Sequence, residues 1–401
     1  MQSLRSYFPI FTNNPDLIFL DSASSAQKPQ AVIDAVSEYM STDYANVHRG
    51  MYELSQRSED MIDATRELVA QWINAQPDEV IFTKNSTDAS NLLIHSLVHS
   101  EQILDWSVIY LCEEDHHASI VPWQIIQERF NQDWKTLIIQ RFSFQDKATW
   151  TFQDATVVMA PIISNVVGVI NPIQKLKQAL SDSTLLCLDA SQALPHIYCD
   201  VQTLQCDYLW FTGHKLGAYP WVWVLRGKRE HLQNLQPAMG WWGAVSSVSH
   251  RWFTLQDAPD KFEPWTPNLS AICSLQAALI RSEQVWWSVK WWYTKLRELD
   301  KLLIEQTVDR INTLPVPVEL VWGTDHPRVG LFTLQFEQGA RMQSLGRHLA
   351  DKWVAVRVGG LCAHPYHAKF NDRPSLRIST RIYTSVEEID YAFDCIEEFF
   401  Q

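Results

Sequence analysis

Glycine is scarce in this chain of 401 residues, which has only 13 of them, about half of what an average usage of about 7% would give. The seven cysteines are scattered without a Cys-x-x-Cys pair, which argues against a structural zinc site and against a disulfide framework. We therefore expect no metal site, and thiols that are reduced and mostly buried.

The chain also has no long run of lysines or arginines, and its formal net charge is −13. This balance argues against binding to nucleic acid or to an anionic membrane face. The first residues lack a charged segment followed by an apolar core of about 7–15 residues, and no stretch reaches the roughly 18 apolar residues of a membrane span. We expect a cytoplasmic protein whose partners are small molecules or other proteins.

Hydrophobic residues make up 46% of the chain, and tryptophan occurs 18 times. This length can bury a sizeable core, and we expect two domains. Short β-branched runs alternate with longer helical patterns, which indicates an α/β domain with a mainly parallel sheet, in which the last strands can run the other way. The runs are "EVIFT" (79–83), "VIYLC" (108–112), "TVVMA" (156–160), "LLCLD" (185–189), "DYLWFT" (207–212) and "WVWVL" (221–225).

A different pattern begins near residue 270, where one long helical stretch is followed by three strand-like runs and a closing helix near 385–400. Such an order is typical of a smaller α+β domain. No repeat or low-complexity linker marks the boundary. We predict a large domain over 19–270 and a small domain made of 1–18 and 271–401.

The stretch "FTGHKL" ends in Lys215, directly beyond the apolar run "DYLWF". A lysine after a strand is usually a solvated loop residue. Asp189, however, ends the strand "LLCLD" 26 residues earlier, and both side chains would open toward the carboxyl edge of the sheet, where ligands bind. Pyridoxal phosphate (PLP) needs such a pair, because a lysine amine forms the Schiff base and a carboxylate keeps the pyridine nitrogen protonated.

Two further segments fit this chemistry. Ser86 and Thr87 fall at the start of a predicted helix, where free amides suit a phosphate, although a simple helix cap is the more ordinary explanation. His116 follows the strand "VIYLC", so its imidazole can lie on a pyridine ring. A lone histidine at a strand end is more often structural, and the doubled His116-His117 weakens that explanation.

Eight separated segments together resemble the cysteine desulfurases, in the branch that includes the SufS and CsdA types, over residues 5–400. The resemblance implies a fold-type I PLP enzyme of the class V aminotransferase group, with a seven-stranded sheet and a smaller α+β domain. The segments are "LDSASSAQKP" (20–29), "YANVHRG" (44–50), "DHHASIVPWQ" (115–124), "ISNVVGVINPI" (163–173), "LDASQAL" (188–194), "GHKL" (213–216), "TPN" (266–268) and "VRVGGLCAHP" (356–365).

The same resemblance implies a role for each matching residue. Lys215 would carry the Schiff base, with His116 stacked on the ring and Asp189 on its nitrogen. The ring hydroxyl would lie near Asn165 and Gln192, which also places Asn165 beside the substrate. The phosphate would be bound by Ser86, Thr87, Thr212 and His214, with Thr266 reaching the other subunit of a homodimer. The substrate carboxylate would bind Arg377, with Arg357 nearby.

The thiol in "VRVGGLCAHP" is Cys362, and the ordinary fate of a free cysteine is a buried structural role. Two glycines and a proline around it favour an exposed loop. Arg357 and His364 are close in sequence and favour a thiolate, the form that attacks sulfur. We therefore predict that Cys362 takes the sulfur of L-cysteine and becomes a persulfide, while the rest of the substrate leaves as alanine. The persulfide sulfur then passes to an acceptor protein.

The chain departs from the family at two places. Lys215 is followed by "GAYPWVW" (217–223), in which Trp221 and Trp223 stand in place of small residues. Further on, "GWWGAV" (240–245) replaces a glycine-rich run. Three hypotheses follow. The chain is an active desulfurase, or it carries out other PLP chemistry on the same scaffold, as a cysteine sulfinate desulfinase, a selenocysteine lyase or another lyase. The third hypothesis is a non-catalytic partner, against which the retained Lys215, Asp189 and His116 argue.

Overall fold

The computed structural model of the chain describes residues 4–146, 150–240, 242–286, 289–337, 341–370 and 373–401. The strands of this part are β1 Ile18–Phe19, β2 Val80–Thr83, β3 Val108–Cys112, β4 Ile138–Phe142, β5 Ala155–Pro161, β6 Leu185–Asp189, β7 Tyr208–Thr212, β8 Trp223–Gly227, β9 Val245–Val248, β10 Phe253–Leu255, β11 Val318–Leu320, β12 Leu331–Phe336, β13 Val354–Ala355, β14 Arg357–Gly359 and β15 Ser375–Ser379. The α-helices are α1 Pro9–Asn13, α2 Gln30–Thr42, α3 Glu53–Ile73, α4 Ser86–His99, α5 His117–Gln132, α6 Ile173–Gln178, α7 Val201–Leu204, α8 Arg229–Asn234, α9 Leu269–Trp286, α10 Val289–Thr313, α11 Met342–Asp351, α12 His364–His367 and α13 Val386–Phe400.

The large sheet has seven strands in the order β2-β8-β7-β6-β5-β3-β4. Its neighbours pair in parallel from β7 through β6, β5 and β3 to β4, whereas β8 runs antiparallel to both β7 and β2. Strand β7 is buried along its whole length, as parallel strands covered on both faces usually are. The predicted α/β fold with a mainly parallel seven-stranded sheet is confirmed.

Two hydrophobic layers cover the sheet because successive side chains of each strand point to opposite faces. In β6, Leu186 and Leu188 join the core on one face, and Cys187 between them joins the core on the other. The first layer includes α2, α3 and α9, and the second includes α4 and α5. Both layers leave the carboxyl ends of β5, β6 and β7 open.

A four-stranded antiparallel sheet, in the order β11-β12-β15-β14, forms the C-terminal part. Helices α10, α11 and α13 supply the apolar side chains of its core, and β1 pairs in parallel with β13. The described residues of the long helical stretch expected after residue 270 form helices α9 and α10, and residues 287–288 lie outside the described residues. Helix α9 packs into the core of the large sheet through Leu269, Ile272 and Leu275. The domain division at residue 270 stays a prediction.

No helix in the described ranges is both long enough and apolar enough to cross a membrane.

Candidate active site

A cavity of about 300 Å³ opens where the carboxyl ends of β5, β6 and β7 meet the loop that follows β14. This is the edge at which open α/β sheets bind ligands. All the predicted site residues except Thr87 and Thr266 line it. They are Ser86, His116, Asn165, Asp189, Gln192, Thr212, His214, Lys215, Arg357, Cys362 and Arg377.

Lys215 ends a short 3-10 turn, Gly213–Lys215, that directly follows β7. The turn packs tightly, because a Cβ added at Gly213 would lie 2.8 Å from Cγ1 of Val222. The pKa of Lys215 is lowered to about 8, chiefly by burial. The charge of Arg377 also lowers this pKa, whereas Asp189 and Cys362 raise it. A substantial fraction of the amine is therefore neutral near pH 8, as Schiff-base formation requires.

Asp189 ends β6 as a buried carboxylate, and its Oδ1 accepts a hydrogen bond from the backbone N–H of Ser191 at 2.7 Å. Gln192 follows in the same turn and donates from Nε2 to the carbonyl oxygen of Ala23 at 2.8 Å. These two bonds fix both side chains at the cavity wall. Asp189 thereby has a set position from which to meet a protonated ring nitrogen.

His116 caps the N-terminus of α5, and its Nδ1 accepts a hydrogen bond from the backbone N–H of Ala118 at 3.1 Å. Burial, followed by the charge of Lys215, lowers the pKa of His116 to about 4. The imidazole is therefore neutral near pH 7 with its proton on Nε2. A neutral ring is suited to stacking against a planar cofactor.

The side of the cavity that is predicted to hold a phosphate lies at the start of α4, where Ser86 lines it. The cap of this helix is Asn85, whose Oδ1 accepts from the backbone N–H of Asp88 at 2.7 Å, so Ser86 and Thr87 are the first helical residues and not caps. His214 packs against Trp223 with ring centroids 4.9 Å apart. Burial lowers the pKa of His214 to about 3, with Lys215 as the next cause.

Thr87 and Thr266 lie outside the lining of this cavity. Thr87 follows Ser86 in α4. Thr266 lines a second cavity of about 230 Å³ together with Lys84, Trp221 and other residues. The ammonium of Lys84 lies 4.1 Å from the ring centroid of the neighbouring Trp265.

The opposite wall carries two arginines that share one carboxylate. Arg377, buried in β15, donates from Nη1 to the carbonyl oxygen of Asn165 at 2.9 Å and from Nη2 to Asp21 at 3.3 Å. Arg357 donates from Nη2 to the same Asp21 at 2.8 Å. Burial raises the pKa of Asp21, but its hydrogen bonds and the two guanidinium charges outweigh that effect and lower it overall, so the carboxylate is ionised at neutral pH.

Cys362 is exposed, whereas the other six cysteines are buried, and all seven are free thiols. Its loop bonds to the start of α5, because the backbone N–H of His117 donates to the carbonyl oxygen of Cys362 at 3.0 Å and His364 donates its backbone N–H to His117 Nε2 at 2.9 Å. Asn165 also donates from Nδ2 to the carbonyl oxygen of Leu361 at 2.6 Å. These three hydrogen bonds hold the Cys362 loop beside the cavity that Lys215 lines.

Several buried polar atoms of the lining have no hydrogen-bond partner among the described residues, although buried polar groups are nearly always paired. A polar ligand with a phosphate, a hydroxyl and a ring nitrogen would supply such partners. The residues therefore fit PLP. The unpartnered atoms are Asp115 Oδ2, Ser191 Oγ, Thr212 Oγ1, Trp223 Nε1 and Arg377 Nε.

Sequence reasoning gave no role to three residues of this site. Asp21 stands inside the quoted segment "LDSASSAQKP", but no local signal connects it to arginines more than 330 positions away in the chain. Asp115 is fully buried, and burial followed by the charge of Asp189 raises its pKa well above the usual range. The sequence marks Trp223 only as a departure from the family pattern, and in the structure this residue lines the cavity.

The chain is similar to known proteins over nearly its whole length. The family model described as aminotransferase class-V matches residues 18–392. A probable cysteine desulfurase of Streptomyces coelicolor is 32% identical to it, with 99% of this chain and 96% of that protein covered.

Two solved structures agree with this similarity. A cysteine desulfurase from Thermococcus onnurineus NA1 superposes with a TM-score of 0.89 at 25% identity, covering 100% of this chain and 98% of that one. The cysteine desulfurase CsdA from Escherichia coli, in an S-sulfonic acid form, gives a TM-score of 0.85 at 25% identity, covering 99% and 97%.

Proposed function

The chain belongs to the aminotransferase class-V family and is a cysteine desulfurase of that group, and we propose that Lys215, Cys362 and Arg377 carry its reaction. The substrate is L-cysteine, and the products are L-alanine and a persulfide on Cys362. The observation that carries this assignment is that a half-buried lysine, an exposed thiol and a buried arginine line one cavity.

The cofactor we propose is pyridoxal 5′-phosphate, which when bound supplies an electron sink for bonds to the α- and β-carbons of an amino acid. Lys215 would hold it covalently, and Asp189 would bind the ring nitrogen. His116 would stack on the ring, with Asn165 and Gln192 near its hydroxyl. The phosphate would lie at Ser86, Thr87, Thr212 and His214. There the hydroxyl of Thr212 and the indole N–H of Trp223 have no hydrogen-bond partner within the described part of the chain.

Arg377 would bind the substrate carboxylate. Its Nη1 and Nη2 already donate to Asn165 and Asp21, and its Nε has no partner among the described residues. A planar guanidinium held on one side in this way orients a carboxylate on the other. Arg357, whose guanidinium also pairs with Asp21, adds positive charge to the same wall.

Cys362 would then take the sulfur. Its Sγ, as thiolate, forms a bond to the substrate Sγ, while the substrate Cβ–Sγ bond breaks and leaves its electron pair on carbon. That carbon takes a proton, and the amine of Lys215, which is partly neutral because burial lowers its pKa to about 8, is the base and acid that moves protons there. The remainder leaves as alanine, so no oxidant or reductant is consumed.

The exposure of Cys362 supports transfer of the persulfide to an acceptor protein. We further propose a homodimer in which Thr266 approaches the cofactor phosphate of the second copy, and a cytoplasmic location. The second cavity, with Lys84 and Thr266 in its wall, supports the dimer because a cationic side chain and a hydroxyl there would suit a phosphate.

The test is to supply L-cysteine, L-selenocysteine and L-cysteine sulfinate to the holoenzyme and to its Cys362→Ser variant, and to measure alanine. We expect the variant to lose nearly all activity on cysteine but to keep much of its activity on the other two, whose leaving groups depart without a thiol acceptor. Buried Cys395 provides the control, since Cys395→Ser should leave all three rates nearly unchanged.

Two results would contradict the assignment. If Cys362→Ser lost activity equally on all three substrates, Cys362 would support the fold and not the sulfur transfer. If the variant kept full activity on cysteine, the thiol would have no part in the mechanism.

A further inference from the structure

Tryptophan occupies an unusual share of the left-handed backbone positions. Among the described residues, twelve non-glycine residues have a positive φ, and five of them are tryptophans. Asn, Asp and His are the residues normally enriched there, and a bulky side chain in this region is an outlier. The five are Trp106 (φ 67°), Trp134 (φ 58°), Trp221 (φ 72°), Trp322 (φ 69°) and Trp353 (φ 61°).

Trp134 and Trp353 each stand two residues beyond the last residue of a helix. At the end of α5, the backbone N–H of Lys135 donates to Phe130 and that of Trp134 donates to Asn131, which is the Schellman pattern with its left-handed residue at position 134. At the end of α11, the N–H of Trp353 makes the equivalent bond to Ala350 at 3.0 Å. This position is usually glycine, because glycine has no Cβ to clash.

Trp106 and Trp221 stand at bends. The N–H of Ser107 donates to the carbonyl of Leu104, so Trp106 is the third residue of a hydrogen-bonded turn. A turn in which only the third residue has a positive φ is a type II turn, and glycine is the residue preferred at that position. Trp221 follows Pro220, and proline followed by glycine is the usual order at the centre of that turn.

These four side chains, which we name the left-handed tryptophans, bury little. Trp106, Trp134, Trp221 and Trp353 are 66%, 96%, 60% and 55% exposed. By contrast, Trp72, Trp123 and Trp210 are at most 1% exposed, and none of the three has a positive φ. Trp322 is set apart because it is half-buried and packs against His326.

We infer that the left-handed tryptophans occupy glycine positions, and that the polypeptide made in the source organism carries glycine at 106, 134, 221 and 353. One codon, UGA, is read as stop, as tryptophan or as glycine under different genetic codes, which provides a route from a glycine gene to this sequence. These four positions account for part of the scarcity of glycine and for four of the 18 tryptophans. The inference is independent of the reaction proposed above.

The direct test is peptide mass spectrometry of the protein isolated from its own cells. Peptides that span the four positions are expected to have the mass of glycine there, whereas peptides that span Trp72, Trp123 and Trp210 keep the mass of tryptophan. Tryptophan at the four positions would overturn the inference.

A second test compares three recombinant chains: the printed sequence, a chain with all four residues changed to glycine (Trp106→Gly, Trp134→Gly, Trp221→Gly and Trp353→Gly), and a matched chain with the same four changed to alanine. Glycine alone removes the Cβ clash of the left-handed region. We expect the glycine chain to unfold at a higher temperature than both others, by roughly 1 °C per position.

The alanine chain separates backbone strain from the removal of an exposed indole, because alanine removes the indole and keeps the Cβ. If the glycine and alanine chains unfold at the same temperature, or if the printed sequence is the most stable of the three, the strain argument is wrong. Trp123→Gly, at a buried right-handed position, should lower the unfolding temperature in the same assay.

Discussion

The reactivity of Lys215 toward an aldehyde gives the sharpest test of the site. Only the neutral form of an amine adds to an aldehyde, so the pKa of Lys215 sets its rate at a given pH. Burial lowers that pKa to about 8, while the carboxylate of Asp189 acts in the opposite direction. The experiment therefore varies the pH, both in the unchanged protein and in a variant that lacks the charge of Asp189.

The magnitude follows from the pKa. At pH 8 about half of the Lys215 amines are neutral, whereas a solvent-exposed lysine with a pKa of about 10.4 is neutral in roughly 0.4% of molecules. At equal intrinsic reactivity, Lys215 should therefore react on the order of 100 times faster than the exposed lysines. Lowering the pH below 8 protonates Lys215 and should slow its reaction about tenfold per pH unit.

The assay mixes apoprotein with PLP between pH 6 and pH 10, stops the reaction with borohydride and locates the label by peptide mass spectrometry. The rate at Lys215 should level off above a midpoint near 8. In Asp189→Asn the midpoint should move to lower pH, because the carboxylate that favours the charged amine is gone. Lys215→Ala should lose the fast phase.

Either of two results would refute this reasoning. A midpoint near that of an exposed lysine would mean that the amine is not desolvated as the structure has it. A label spread over many lysines at pH 8 would mean that Lys215 is not the Schiff-base residue.

Three further predictions concern the arginine wall and assembly. Arg377→Lys should raise KM for cysteine by roughly 10–100-fold in steady-state kinetics, because a charge-assisted hydrogen bond to the substrate carboxylate is lost. An unchanged KM would mean that Arg377 does not bind that carboxylate. Asp21→Asn should lower that KM, because a carboxylate no longer competes with the substrate for Arg357 and Arg377, and a raised KM would mean that Asp21 chiefly positions the arginines. Sedimentation should give a species of about twice 46.4 kDa, and a fully active monomer would rule out a phosphate site completed by Thr266.

The large sheet was predictable because its central strands are buried on both faces and read as continuous apolar runs. Strand β7, the run "YLWFT", has every residue buried, and the strand predicted over "DYLWFT" agrees with it to within one residue at its start. Strand β4 is different, since its residues Ile138–Phe142 include an exposed Gln140 and only one buried position. An edge strand of this kind has no strong apolar pattern, and it was not predicted.

Residues that meet through tertiary structure were predictable only where a motif carried them. Lys215 and Asp189 follow from strand ends, which the sheet topology brings to one edge. Thr266 had no such guide beyond the resemblance, and its role stays a prediction. Asp21 joins the arginine wall because β1 and β13 pair beside it, and a pairing of two-residue strands leaves no signal in the sequence.

Asn165 connects the two halves of the proposed reaction. Its side chain donates to the backbone beside Cys362, and its carbonyl oxygen accepts from the guanidinium of Arg377. Arg377 and the thiol loop are thus both hydrogen-bonded to one residue, at the carboxyl edge of a sheet that also positions Lys215. Sulfur transfer needs the substrate sulfur to lie close to the thiol while the carboxylate is bound. A shared anchor provides this geometry more directly than two independent loops would, because a displacement of Asn165 moves the thiol loop and the arginine together.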